Sequence, residues 1–235
     1  MTAPYTPIAD YDCAPFAASV TSGARISHDV YRRGSGAPVV IIQELPGIGP
    51  ETLRLADEFV ARGFAVVLPH LFGPLEKIST GGNLVRVFCM RREFSLFEAH
   101  RASPIVDWLK ALCREVKAQG PHKGVGVIGM CLTGNFAISL MGDDSVLAAV
   151  SSQPSMPLMK ADELHMSASD IGDIRQRIDA TAPMHAYRFA GDPMCNAAKF
   201  RAIDAAFNDE GTTRIVTHTL PGKGHSVLTL DFVDE

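Results

Sequence analysis

What the chain lacks is the first guide to what it can be. No window approaches the roughly 20 consecutive apolar residues of a membrane-spanning helix, so an integral helical membrane protein is excluded. No run of one charge sign occurs. The 22 Lys and Arg stand against 26 Asp and Glu, a net charge of −4, and the basic residues are scattered, so neither a nucleic-acid partner nor a membrane surface is expected. The five cysteines, Cys13, Cys89, Cys113, Cys131 and Cys195, are odd in number, widely spaced and without a C-x-x-C pair. That pattern speaks against a disulfide framework or a zinc site and for free thiols in a reducing compartment. The opening Met1-Thr-Ala-Pro-Tyr-Thr-Pro7 has no basic segment leading into an apolar run, and a cytoplasmic location is expected. No repeat, low-complexity tract or linker interrupts the chain. Residues 1–235 therefore read as a single domain, with 1–23, rich in Pro, Ala and Ser, as an irregular N-terminal segment.

What is present centres on Val125-Gly-Val-Ile-Gly-Met-Cys131-Leu-Thr-Gly-Asn-Phe-Ala-Ile-Ser-Leu140. Its first residues read as a buried strand, Gly129 as the residue that permits a tight turn, and Leu132 to Leu140 as a helix. Strand, turn and helix with a cysteine at the apex is the layout of a nucleophile elbow. The helix start also places backbone N–H groups and the positive dipole end beside Cys131, where they stabilise a thiolate. The alternative is a buried structural cysteine behind a core strand.

Around it the chain alternates. An edge strand or hairpin is expected at Arg25–Arg32, and central strands at Val39–Ile42, Gly63–Leu68, Lys123–Ile128, Val146–Val150, Met184–Ala190 and Thr213–Leu220. Helices are expected at Glu51–Arg62, Phe97–Lys117, Asp170–Ala180 and Asn196–Asn208. This order implies a mostly parallel central sheet with helices on both faces. Residues 75–96 read as a loop or short-helix excursion in which substrate contacts are expected. Glu44, just past Val39–Ile42, lies at the strand end where open α/β sheets bind ligands.

Two more polar residues fall just past strand ends: Asp192 in Gly191-Asp192-Pro193, and His225 in Gly222-Lys-Gly-His225-Ser226. The chain order nucleophile, acid, histidine is that of an α/β-hydrolase. In that reading His225 draws the proton from Cys131 and later returns one to the leaving group, while Asp192 fixes the imidazole tautomer. Taken singly, Glu44 could be a solvated carboxylate, Asp192 a turn former and His225 a loop residue. Jointly, those readings need three coincidences in the correct order. The other seven histidines lack an acid or nucleophile in register, except that His70 also follows a strand end, where packing is the simpler role.

The motifs Gln43-Glu44, Gly129-Met-Cys131-Leu-Thr-Gly134, Gly191-Asp192 and Gly224-His225-Ser226 resemble those of the dienelactone hydrolases, α/β-hydrolases with a Cys-Asp-His triad, from about Tyr31 onward. The resemblance implies that Cys131 is the nucleophile, His225 the base and Asp192 its partner. It further implies that Glu44 helps the thiol ionise and that the backbone N–H groups of Leu45 and Leu132 form the oxyanion hole. Two departures stand out. Thr133 replaces a glycine common in the family two residues after the nucleophile, so the elbow must accommodate a β-branched side chain. Thr229 stands where the dienelactone-cleaving relative has a carboxylate-binding arginine, while Arg92, followed by Glu93, resembles a second family arginine. The expected activity is hydrolysis of an ester or lactone through a thioester acyl-enzyme, without metal or organic cofactor. The alternatives are a thioesterase or other acyl-transfer hydrolase, and a non-catalytic ligand-binding protein on the same scaffold. Oligomeric state is left open.

Overall fold

Continuous β-branched runs become buried strands, and stretches with apolar residues three and four apart become helices that cover them. A computed structural model describes residues 4–82, 103–155, 164 and 166–233. These fall into two compact units, one drawn from residues 1–97 and 103–126, the other from residues 127–235.

In the first unit the strands β1 (Asp12–Ser19), β2 (Arg25–Arg33), β3 (Ala37–Ile42) and β4 (Phe64–Pro69) lie in the order β1-β2-β4-β3. The pairs β1–β2 and β2–β4 are antiparallel, and β3–β4 is parallel. Helices α1 (Pro50–Ala61) and α2 (Pro104–Ala118) both start with proline at the first turn, where the missing N–H is no loss. Trp108 of α2 is fully buried and its indole N–H donates to the Phe16 carbonyl at 3.3 Å, which ties the helix to β1. Strand β1 corrects the irregular reading of residues 12–19. Its Pro15 and small alanines hide any alternation, yet an edge strand tolerates proline because one row of its backbone groups needs no partner.

In the second unit β5 (Val125–Met130), whose first two residues precede the boundary, is followed in spatial order by β6 (Val146–Ser152), β7 (Met184–Phe189) and β8 (Ile215–Leu220). The pairs β6–β7 and β7–β8 are parallel. Helix α3 (Leu132–Leu140) is buried at every residue but Ser139, as befits a helix that is apolar all round. Helix α4 (Ala168–Asp179) opens with a capping box between Ser167 and Asp170, and α5 (Ala197–Phe207) with Asn196 accepting from Ala198 N and Lys199 N. The expected helix at Phe97–Lys117 is found over Pro104–Ala118. Residues 83–96 of the expected excursion, with Arg92 and Cys89, lie outside the described residues. Among the described residues no helix is long and apolar enough to cross a membrane, and Cys13, Cys113, Cys131 and Cys195 are free thiols.

Candidate active site

The reversal between β5 and α3 falls on Cys131 itself, at φ 58° and ψ −121°, not on Gly129 as the sequence suggested. A non-glycine residue in this region costs about 1–3 kcal/mol and persists only where its surroundings over-determine it. Here they do. Cys131 N donates to Ser152 O at 3.0 Å, and Cys131 O accepts from Gly134 N at 3.0 Å and Ser155 N at 3.1 Å. Gly129 serves a different end: a Cβ there would stand 2.1 Å from Thr133 O, so only glycine lets the helix approach the strand this closely. Thr133, buried, is more than accommodated. Its Oγ1 accepts from Met130 N at 2.9 Å and donates to Met130 O at 3.0 Å, closing the turn from below.

The acid and the histidine meet because their strands are neighbours in register. Phe189 of β7 pairs with Leu220 of β8, and the alignment continues past the strand ends through Gly191 N donating to Gly222 O at 2.9 Å. His225 Nδ1 then lies 2.7 Å from Asp192 Oδ2, and the Asp192 side chain is fully buried. Its other oxygen, Oδ1, accepts from Met194 N at 2.8 Å and Cys195 N at 3.0 Å, which fixes the carboxylate plane. The distance back to Cys131 is a harder problem. Three inter-strand steps separate β8 from β5, about 14 Å at the usual spacing. The loop after β8 therefore folds back, and Gln153, buried at the end of β6 with φ 35°, holds it there: Gln153 Oε1 accepts from Val227 N at 3.3 Å and from the Ser152 hydroxyl. Asp231 completes the loop, its Oδ2 accepting from His225 N at 2.7 Å and Ser226 N at 3.0 Å.

Electrostatics follow from this packing. Burial disfavours a charged His225, but the Asp192 carboxylate and the Cys131 sulfur overcome it and push the ring up to about 10. Burial likewise works against the Asp192 carboxylate, and His225 with the amides of Cys195 and Met194 outweighs it, holding the acid below its ordinary value of 3.8. His225 Nε2 is buried without a hydrogen bond of ordinary geometry, although Cys131 is near enough to act on the ring electrostatically. The thiol of Cys195 is driven the other way, to about 12, by burial and then by Asp192.

Of the residues singled out from sequence, Cys131, Asp192 and His225 thus gather in the second unit, with Leu132 as the first residue of α3. Glu44 and Leu45 lie in the first unit just past β3, and Glu44 is buried, its carbonyl accepting from Gly47 N at 2.9 Å. Thr229 is buried in the loop after His225, its N–H donating to Ser226 O at 3.2 Å. His70 has a packing role: Nε2 is 2.8 Å from Gly73 O and the ring meets Tyr31 edge-on. Gln153, Ser155 and Asp231 were not singled out. A polar residue just past a strand end is a usable signal for Gln153, whereas Ser155 and Asp231 are placed by backbone paths that spacing does not encode.

Solved structures share the fold. A dienelactone hydrolase-like promiscuous phosphotriesterase from metagenomic libraries is 18% identical, with 89% of this chain and 82% of that one covered and a TM-score of 0.57. A cold-adapted esterase from an Arctic intertidal metagenomic library is 14% identical over 94% and 90% of the two chains, at a TM-score of 0.59. A puromycin hydrolase is 16% identical over 97% of this chain and 38% of its own, at 0.57. At these identities the likeness establishes an α/β-hydrolase fold with a mostly parallel sheet. Among curated proteins none matches the sequence. The family model of the dienelactone hydrolases, however, matches residues 29–230, a span that includes Cys131, Asp192 and His225, and the chain belongs to the dienelactone hydrolase family of hydrolases.

Proposed function

We propose that the protein hydrolyses a carboxylic ester or lactone through a thioester on Cys131, with His225 as proton carrier and Asp192 as its anchor. The single observation that carries the reading is the His225–Asp192 pair at 2.7 Å, its carboxylate fully buried, with Cys131 acting on the same ring. His225, held despite burial above its ordinary value of 6.5 by Asp192 and Cys131, takes the proton of Cys131, and the sulfur attacks as thiolate. Sγ bonds to the carbonyl carbon and the carbonyl electrons move to oxygen. As the carbon–oxygen double bond re-forms, the alkoxide departs with the proton from Nε2. The neutral ring then takes a proton from water, the hydroxide attacks the thioester, and the thiolate leaves. By resemblance to the family, Glu44 helps keep the sulfur ionised, and the N–H groups of Leu45 and Leu132 bind the oxyanion, typically about 2.7–4 kcal/mol per donor. Thr229 offers one neutral hydroxyl where the dienelactone-cleaving relative has a guanidinium, which favours a neutral substrate.

The test is a panel of aryl esters, lactones and thioesters assayed with the wild-type protein, Cys131→Ala and Glu44→Gln. Loss of ester cleavage in Cys131→Ala is expected, with a fall of about 10²–10⁴ in kcat for Glu44→Gln at unchanged melting temperature. Equal rates for wild type and Cys131→Ala would remove Cys131 from the mechanism, and thioesters cleaved in marked preference to esters would shift the substrate class.

A further inference from the structure

The side chain of Ser155, three residues past the end of β6, touches the sulfur of Cys131. Ser155 Oγ lies 3.3 Å from Cys131 Sγ, a hydrogen-bonding distance for sulfur, and the residue is buried. The contact is built in at the level of the main chain. Ser155 N donates to Cys131 O at 3.1 Å, Asn135 Nδ2 donates to Ser155 O at 3.1 Å, and Ser152, in the same segment, accepts from Cys131 N. These bonds hold the segment 152–155 against both sides of the elbow and place Oγ within reach of Sγ.

The chemistry of the two groups decides which way the hydroxyl turns. A thiol is a weak donor and a weak acceptor, whereas a thiolate is a strong acceptor and a hydroxyl a good donor. The contact is therefore worth more when the sulfur is charged. His225 Nε2, with no ordinary hydrogen bond, is positioned to receive the proton, but an imidazolium alone leaves a thiolate largely shielded from water. Resting on the reading of Cys131 as nucleophile, we propose that Ser155 is a further catalytic residue, its hydroxyl donating a hydrogen bond to the charged sulfur and relinquishing it as the Sγ–carbon bond forms. No atom changes hands: the serine keeps its proton, and the proton lost by Cys131 goes to His225. The labour is divided, one residue taking the proton and the other stabilising the charge left behind.

This division predicts a pH signature that simple packing would not produce. Without the hydroxyl, more base is needed to form the thiolate, but the thiolate once formed is less stabilised and intrinsically more reactive. The experiment measures the rate of Cys131 alkylation by iodoacetamide against pH, resolved by peptide mapping, in wild type, Ser155→Ala and Ser155→Thr. For Ser155→Ala the midpoint is expected to rise by about one pH unit or slightly more. The high-pH plateau should then stand about threefold above that of wild type. Ser155→Thr, which keeps the hydroxyl, should restore the wild-type midpoint. Ester kinetics should follow the same course, with a loss of about tenfold at low pH that closes as pH rises. An unmoved midpoint, or a loss equal at all pH values, overturns the proposal. If Ser155→Ala does not fold, Ser155→Gly provides the same comparison. Alkylation requires no turnover, so the role of Ser155 is read even if Cys131→Ala were to retain ester cleavage and the hydrolytic reading failed.

Discussion

Replacing Asp192 with Asn removes one charge and leaves a side chain of the same shape in a fully buried place. The amide oxygen can go on accepting from Met194 N and Cys195 N, as Oδ1 does now at 2.8 and 3.0 Å. The amide NH₂ then takes the position of Oδ2, 2.7 Å from His225 Nδ1. Two donors cannot face one another, so the ring must present Nδ1 as an acceptor and carry its proton on Nε2. In that tautomer it cannot take a proton from Cys131, and the imidazolium has lost its counter-charge. A hydrogen bond to a charged group contributes about 1.5–3 kcal/mol, or roughly 10- to 150-fold, and the wrong tautomer adds to it. The expected fall in kcat/KM is therefore about 10²–10⁴. Its pH dependence is diagnostic. His225 is held at about 10 against an ordinary 6.5, so the proton is present in the wild type until pH rises through about 10; without the carboxylate it leaves earlier. The alkaline limb must therefore move down, and the deficit must grow between about pH 7 and 9. Stability has its own window. The raised His225 stabilises the fold below 6.5 and loses that contribution as pH climbs through about 10. The lowered Asp192 stabilises above 3.8 and loses its contribution as pH falls below that value. The melting deficit of Asp192→Asn should be largest between about pH 4 and 6.5 and shrink toward pH 10. Aryl ester kinetics across this range, with thermal melts near its two ends, measure both. A loss below threefold, or a uniform offset with the alkaline limb unmoved, would refute the reasoning.

Four further outcomes are expected. Gly129→Ala, whose Cβ would meet Thr133 O at 2.1 Å, should cost about 3 kcal/mol or more or abolish folding. Gly172→Ala in α4, where nothing lies within 4 Å, should stabilise by about 0.5–1 kcal/mol, both read from chemical denaturation. Asp231→Ala frees the N–H groups of His225 and Ser226, and should lower kcat about tenfold at little changed KM, while Asp231→Asn retains most activity because its amide oxygen still accepts. A neutral aryl ester should be cleaved with higher kcat/KM than a matched ester bearing a free carboxylate, by about 10- to 150-fold, and a preference for the anion would reveal another cation in the substrate site.

The parts of this protein legible in its sequence are those in which chemistry and order coincide. Val39–Ile42, Val125–Met130 and Val146–Val150 are apolar runs that read as strands of a sheet, and Asp192 and His225 follow β7 and β8 within five residues. Strand β1 escaped because Pro15 and its alanines have no alternation, and its place is decided by β2 and by Trp108, more than 90 residues away. The elbow is legible from strand, turn and helix, with Gly129 read as the residue that permits the tight turn, whereas the positive φ falls on Cys131. Ser155 and Asp231 escaped for a further reason: their partners are main-chain groups and one sulfur atom, brought to them by loops that leave no spacing pattern, whereas Gln153 has only its place just past a strand end as a signal.

The dihedrals of Cys131 have a consequence for how such a chain would age if its activity ceased to matter. Glycine adopts that backbone conformation without penalty, so a stability-minded substitution at position 131 would relax the turn while deleting the proposed nucleophile. Drift under selection for folding alone would thus tend to erase Cys131 early and leave the scaffold intact.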